Sequence, residues 1–236
     1  MSAAELIPGG TDALLLLCDH ASNHVPADVE LGIDARLLDL HIAVDIGAGA
    51  LTRSLAAALH APAILGTVSR LVIDLHREPE HVGLIPHSSD GHEIPGNAHA
   101  DRAARVARFH VPFHDAIDAQ IRRVRPELVL AIHSFTPRLE VGGSDRPWEI
   151  GVLYNQDERA ARIAVDWLVA QGLPTGDNEP YSGRLLNATL NRHAEARGIP
   201  SIAIEVRNDL IRDDAGVARW TGILTALAGH LRQSLG

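Results

Sequence analysis

The chain has 236 residues, 46% of them hydrophobic, and a formal net charge of −9 at pH 7. All 21 basic residues are Arg, which excludes a Lys Schiff base, a phosphate-loop lysine and pyridoxal phosphate attachment, and the acidic balance argues against nucleic acid and anionic membranes as partners. The one cysteine, Cys18, leaves no internal disulfide and no Cys-rich metal cluster.

A chain of this length buries about 70–75% of its unfolded surface, so residues 1–236 are expected to form a single domain without covalent staples. Aromatic residues are only 3%, which makes the expected core aliphatic. Residues 1–12 lack a basic start followed by an apolar run, and no apolar stretch approaches the ~20 residues that span a bilayer. The expected location is the cytoplasm. Nothing in the composition speaks to oligomeric state.

The first buried strand is predicted at 13–18, and it runs directly into Asp19-His20-Ala-Ser-Asn-His24. Asp39, His41 and Asp45 then precede a helix over 46–59, where Leu51, Leu55 and Leu59 recur at four-residue spacing. If that approach is itself helical, His41 and Asp45 share a face one turn apart. Strands follow at 63–67 and 71–75, and the pattern lapses into Pro, Gly, His and Ser over 79–97. Val106, Phe109, Phe113, Ile117, Ile121 and Val124 form a helical stripe, with Pro112 as a kink or restart. His110 and His114 lie one turn apart on it, and their Phe neighbours suggest ordinary polar histidines at a helix edge rather than a metal pair. A strand at 128–133 ends in His133-Ser134-Phe135, and a loop covers 136–147. A strand at 151–154, a helix at 159–171 and another loop at 174–183 come next. A strand at 201–206 contains Glu205 and leads to Arg207, and a helix at 220–235 closes the chain. Strands alternating with helices predict an α/β fold with a mostly parallel, mixed sheet and helices on both faces.

Ligands of open α/β sheets sit beyond the carboxyl ends of the strands, and three strand ends here are polar. Two His and a carboxylate, with a position left for water, form a common catalytic zinc set. A separate carboxylate can then take a proton from that water. The histidines that follow these strand ends, with the Asp39, His41 and Asp45 cluster, could supply the first requirement, and Glu205 at a strand end is placed for the second. Cys18 reads as a small buried thiol rather than a nucleophile. The absence of a Gly-x-Ser-x-Gly elbow leaves a serine hydrolase without support.

Six segments, in order, resemble the N-formylglutamate amidohydrolase family, and its shorter, less characterised branch in particular. They are Cys18-Asp-His-Ala-Ser22, His41-Ile-Ala-Val-Asp45-Ile-Gly47, Ser69-Arg-Leu-Val-Ile-Asp74, Ile94-Pro-Gly-Asn97, Ile132-His-Ser-Phe-Thr-Pro137 and Ile204-Glu-Val-Arg-Asn-Asp-Leu210. The resemblance implies a zinc-exopeptidase-like (phosphorylase/hydrolase-like) fold and hydrolysis of an amide on a small acidic N-acyl amino acid. It also implies a Zn2+ or other divalent ion on His20 and His133, with Glu205 as base. The third ligand stays open between Asp45 and His41, with Asp45 preferred. Arg70, Arg77 and Arg207 fall inside or beside these motifs and are candidates for the substrate's carboxylate, because a planar guanidinium grips one bidentately. Tyr181, in a segment similar to a loop of the same branch, is a candidate oxyanion donor. One departure is His76, where the family pattern has Asn, beside Arg77. Two other readings remain: a deacylase or carboxypeptidase-like hydrolase of another small amide, and a catalytically silent metal- or ligand-binding relative, for which a base such as Glu205 would be superfluous.

Overall fold

Short runs of Leu, Ile, Val and Ala build the centre of the computed structural model, which describes residues 2–10 and 13–236. Met1, Thr11 and Asp12, within the N-terminal stretch read for a leader, lie outside the described residues. The strands are β1 (Ala4–Ile7), β2 (Leu14–Cys18), β3 (Ala63–Gly66), a small hairpin β4–β5 (Ser88–Ser89 and His92–Glu93), β6 (Leu128–Phe135), β7 (Ile150–Leu153), β8 (Thr175–Asp177) and β9 (Ser201–Arg207). The main sheet runs β1-β3-β2-β6-β9-β7-β8. Its centre, β3-β2-β6-β9, is parallel, as is β7-β8, while β1 on β3 and β7 on β9 are antiparallel. This is the mixed, mostly parallel sheet expected.

Alternation along the strands sorts side chains into two layers. Leu14, Leu16, Leu130, Ile132, Ile202 and Ile204 pack against α1 (Ala48–Leu59), α4 (Arg159–Ala170) and α6 (Asp214–Leu235). Leu15, Leu17, Val129, Ala131 and Ala203 face α3 (Val111–Val124) and α5 (Ala188–His193). Both faces being covered explains why the central strands are apolar at nearly every position. The same parity places Asp19, His133 and Glu205 on the α3 side, at the carboxyl end of the sheet. Among the described residues, no helix is long and apolar enough to cross a membrane.

Two local expectations are corrected, and the restart at Pro112 is observed. Residues 71–75 are buried but form turns instead of a strand. Their backbone groups are taken by other partners: the Asp74 N–H donates to the Leu84 carbonyl, and the Leu71 carbonyl accepts from the Asn97 amide. The long stripe divides into α2 (Arg102–Arg105), one π-helical turn over Val106–His110, and α3. Pro112 sits in the first turn of α3, where its missing N–H costs least, and the wider turn before it accommodates the ring. His110 and His114 are buried rather than at an edge.

Candidate active site

The site begins with a backbone register. His133 on β6 lies directly opposite Glu205 on β9, so their side chains rise from neighbouring strands about 4.8 Å apart. His20 follows β2 on the other side of β6. Asp45 is delivered by the turn into α1, where its N–H donates to the His20 carbonyl at 3.1 Å. Gly47 makes that turn possible: its φ is 82°, and a Cβ there would collide with the Ile211 carbonyl. The chain thereby reverses into the helix with the Asp45 carboxylate turned inward.

Asp45 is the hub. Its Oδ2 lies 2.9 Å from His133 Nδ1 and 3.4 Å from His20 Nδ1, and its Oδ1 accepts from Arg70 Nη1 at 3.2 Å. Ligand atoms of His20, Asp45 and His133 fall within 4.8 Å of one another. The outward nitrogens of both histidines face further carboxylates, His20 Nε2 lying 2.7 Å from Asp74 Oδ1 and His133 Nε2 3.4 Å from Asp19 Oδ2. A carboxylate behind each ring is the arrangement that orients metal-binding histidines. A second group, Asp19, His76 and His133, is equally close, but Asp19 is fully buried and faces away from solvent.

Charge is concentrated in this centre. Asp19, Asp45, Asp74 and Glu205 are all buried, and the guanidinium groups beside them are Arg70 and Arg77. Four ionised carboxylates against two guanidiniums leave an excess of two negative charges, which a divalent ion would balance on neutral imidazoles and which a protonated His133 and a partly un-ionised Glu205 offset in the metal-free chain. Burial alone would raise the Asp45 carboxyl, yet His20 beside it and hydrogen bonds from His133 and His20 hold it well below the carboxylate range. Burial would likewise lower His133, but its bonds to Asp19 and Asp45 raise it well above the ordinary histidine value. Glu205 moves the other way. Burial pushes it up to about 7, Asp45 adds to the rise and His133 opposes it. Among the described residues, Glu205 Oε2 is buried without a hydrogen-bond partner. Unpartnered buried polar atoms are rare, and this one, beside a nitrogen and oxygen donor set, fits a bound divalent cation.

A cavity of about 270 Å³ opens onto the cluster and is lined by His20, Asp45, His133, Glu205, Arg77 and Tyr181, among others. His41 is at its rim. The residues before α1 form turns, not a helix, so His41 does not stack above Asp45. Its Nε2 lies 3.0 Å from Asp90 instead. Arg207 lies outside the cavity lining. It sits two residues past Glu205, and Asp209 captures it at 2.8 Å. Arg70 borders the cavity, but its amino groups are spent on Asp45 and Asp74. Among the described residues, the Arg77 guanidinium is held by a looser pair, 3.6 Å from Asp74. Of the three candidate arginines, Arg77 therefore has the least engaged guanidinium facing the cavity.

Sequence reasoning missed Asp19 and Asp74 as site residues, although both stood in the family-like segments. It flagged His76 only as a departure. His76 Nδ1 lies 2.9 Å from Asp19 and its Nε2 lies 3.0 Å from the Leu186 carbonyl, so both ring nitrogens are engaged. His114 and His110 reach the carbonyls of Leu75 and Arg77 at 3.1 and 2.9 Å and brace the segment carrying His76. Cys18 is fully buried on the opposite face of the sheet, and burial pushes its thiol well above the ordinary range.

Residues 12–212 match the family model described as N-formylglutamate amidohydrolase. A gene product of Agrobacterium tumefaciens of known crystal structure is 34% identical, with a TM-score of 0.94 over 100% of this chain and 96% of that one. N-formylglutamate amidohydrolase from Ralstonia eutropha shares the fold at 20% identity, with a TM-score of 0.73 over 99% of this chain and 97% of that one. A bacteriophage poly-gamma-glutamate hydrolase aligns at 8% identity with a TM-score of 0.50, covering 98% and 91% of the two chains. A search of curated proteins found no match.

Proposed function

Since the chain belongs to the N-formylglutamate amidohydrolase family, and so to the amidohydrolases, we propose that it cleaves the amide of an acidic N-acyl amino acid such as N-formylglutamate. His20, Asp45 and His133 hold one zinc ion in this reading, and Glu205 is the general base. The observation that carries it is the buried, unpartnered Glu205 carboxylate beside a cluster of two His and one Asp. Zinc supplies polarisation of the scissile carbonyl and lowers the pKa of water to roughly 7.

The chain's own residues account for the rest. Glu205, raised to about 7, takes a proton from water and returns it to the leaving amine, since a base matched to the working pH does both. Asp74 and Asp19 fix the His20 and His133 rings from behind. Tyr181, which lines the cavity, donates to the carbonyl oxygen. Arg77 receives the substrate's carboxylate, because its guanidinium is the least engaged of the three candidates.

A second reading has its own observation. Phe135, Leu139, Leu153 and Leu186 also line the cavity, an apolar wall larger than a formyl group requires. It favours a longer acyl chain on the same kind of amino acid. Zinc-reconstituted protein should be assayed for amine release from N-formyl, N-acetyl and longer N-acyl glutamates, together with their carboxamide-capped forms. Faster release from free carboxylates supports the proposal, the preferred acyl length separates the two readings, and no release from any member removes both.

A further inference from the structure

Arg146 lies in the loop that follows β6, and the cavity does not include it among its walls. Its guanidinium carbon is 4.9 Å from the centroid of the Tyr181 ring and 6.0 Å from that of Phe135. Its Nη1 donates to the Tyr181 hydroxyl at 3.1 Å and to the Thr136 carbonyl at 3.1 Å. Among the described residues, then, this arginine serves two rings, a hydroxyl and a carbonyl, and no carboxylate. That is unusual use of a charged side chain in an acidic protein, where carboxylates are plentiful.

The consequence falls on Tyr181. A phenol has one proton to give and an oxygen that can accept. With Arg146 donating to that oxygen, the Tyr181 proton is directed away from the guanidinium and is not spent on Glu205, whose Oε2 lacks a partner. Burial and the nearby Glu205 push the phenol above its ordinary value, so it stays protonated, while Arg146 opposes the rise and makes it a stronger donor. Arg146 also ties the loop after β6, through Phe135 and Thr136, to the loop after β8 that carries Tyr181.

We propose that Arg146 is a positioning residue that clamps Tyr181 by stacking and a hydrogen bond, so that the Tyr181 hydroxyl faces the cavity as the donor to the substrate's carbonyl oxygen. The proposal rests on the hydrolase reading above, but its geometry can be tested apart from turnover.

The chain has two tyrosines, and the hydroxyl of the second, Tyr154, donates to Asp177 at the end of β8. In a Tyr154→Phe background, tyrosinate absorbance against pH reports Tyr181 alone. Arg146→Met should move that titration to higher pH and lower kcat roughly tenfold or more, with KM changed less than about twofold. Tyr181→Phe should lower kcat by about 10²–10³-fold, as for loss of one oxyanion donor. Adding Arg146→Met to Tyr181→Phe should cost nothing further, because the arginine acts through the phenol. An unchanged tyrosinate titration overturns the clamp. Additive losses, or a higher KM with intact kcat, overturn the positioning role, the latter by placing Arg146 on the substrate itself. If wild-type protein turns over no N-acyl amino acid while the titration still shifts, the contact stands and the donor role is overturned with the hydrolase reading. Should Arg146→Met fail to fold, Arg146→Gln removes the charge while keeping a donor, and the same outcomes apply.

Discussion

Replacing Glu205 with Gln should make the zinc-loaded protein nearly inactive and the metal-free protein, at alkaline pH, more stable. The side chain is buried, its Oε2 has no hydrogen-bond partner among the described residues, and its carboxyl is pushed up to about 7 from an ordinary 4.5. At about 1.36 kcal/mol per pH unit, holding it ionised costs the fold about 3 kcal/mol. The sign follows from proton linkage. Below pH 4.5 the group is neutral in both states and imposes nothing. Between 4.5 and about 7 the folded chain keeps a proton that the unfolded chain releases, so stability falls as pH rises, and above 7 the whole cost is present. Gln has nearly the same shape and no charge. Chelated Glu205→Gln should therefore melt about 6–12 °C above wild type at pH 8, at about 2–4 °C per kcal/mol for a chain of this size, and close to it at pH 4.5. Zinc should narrow the gap by compensating the carboxylate. Zinc-loaded turnover should drop by about 10²–10⁴-fold. Melting curves of chelated protein at both pH values, with a parallel turnover assay, test both halves. A variant less stable than wild type at pH 8 would mean that the carboxylate anchors the fold, and full turnover would remove it as the base.

Excess zinc, at about a thousand times its dissociation constant, should stabilise wild type by about 4 kcal/mol in a thermal-shift assay. His20→Ala and His133→Ala should lose that shift and His41→Ala should keep it; equal shifts in all three would dissolve the assigned cluster. Arg77→Met should weaken carboxylate-bearing substrates by one to two powers of ten, from about 1.5–3 kcal/mol for a charge-assisted bond, and spare capped ones. Arg70→Met should instead cost stability, about 3–5 kcal/mol, because it strands the buried Asp45 and Asp74; substrate-affinity loss with unchanged melting would reverse these roles. His114 is held down to about 3 by burial, with His110 and His193 adding to the effect. Its contribution is complete above 6.5 and is lost as pH falls toward 3, by up to about 1.4 kcal/mol per pH unit, as the unfolded chain gains a proton that the folded chain refuses. Denaturant titrations of His114→Gln should show a shallower acid decline, and an unaltered slope would refute the buried-neutral assignment.

Hydrophobic runs determined most of the scaffold, because a strand covered on both faces must be apolar along its length, as Leu14–Cys18 and Leu128–Phe135 are. Strand ends followed by polar residues likewise pointed to His20, His133 and Glu205, since the carboxyl edge of such a sheet is where chains leave the core. The run at 71–75 shows the limit of that signal: apolar residues report burial, but not what their backbone groups bond, and here Leu84, Asn97 and His114 take the places a neighbouring strand would fill. Roles that depend on partners distant in the chain were decided only by the tertiary structure. Asp74 stands behind His20 across 54 residues, and Asp19 meets His76 across 57. Arg207 was placed in a family-like motif, yet Asp209 two residues on removes it from the cavity, while Arg146, in no motif, reaches Tyr181 across 35 residues. A charged side chain takes its role from whichever opposite charge, ring or hydroxyl the fold brings within a few ångströms, and that pairing is written in the folded geometry rather than in local spacing.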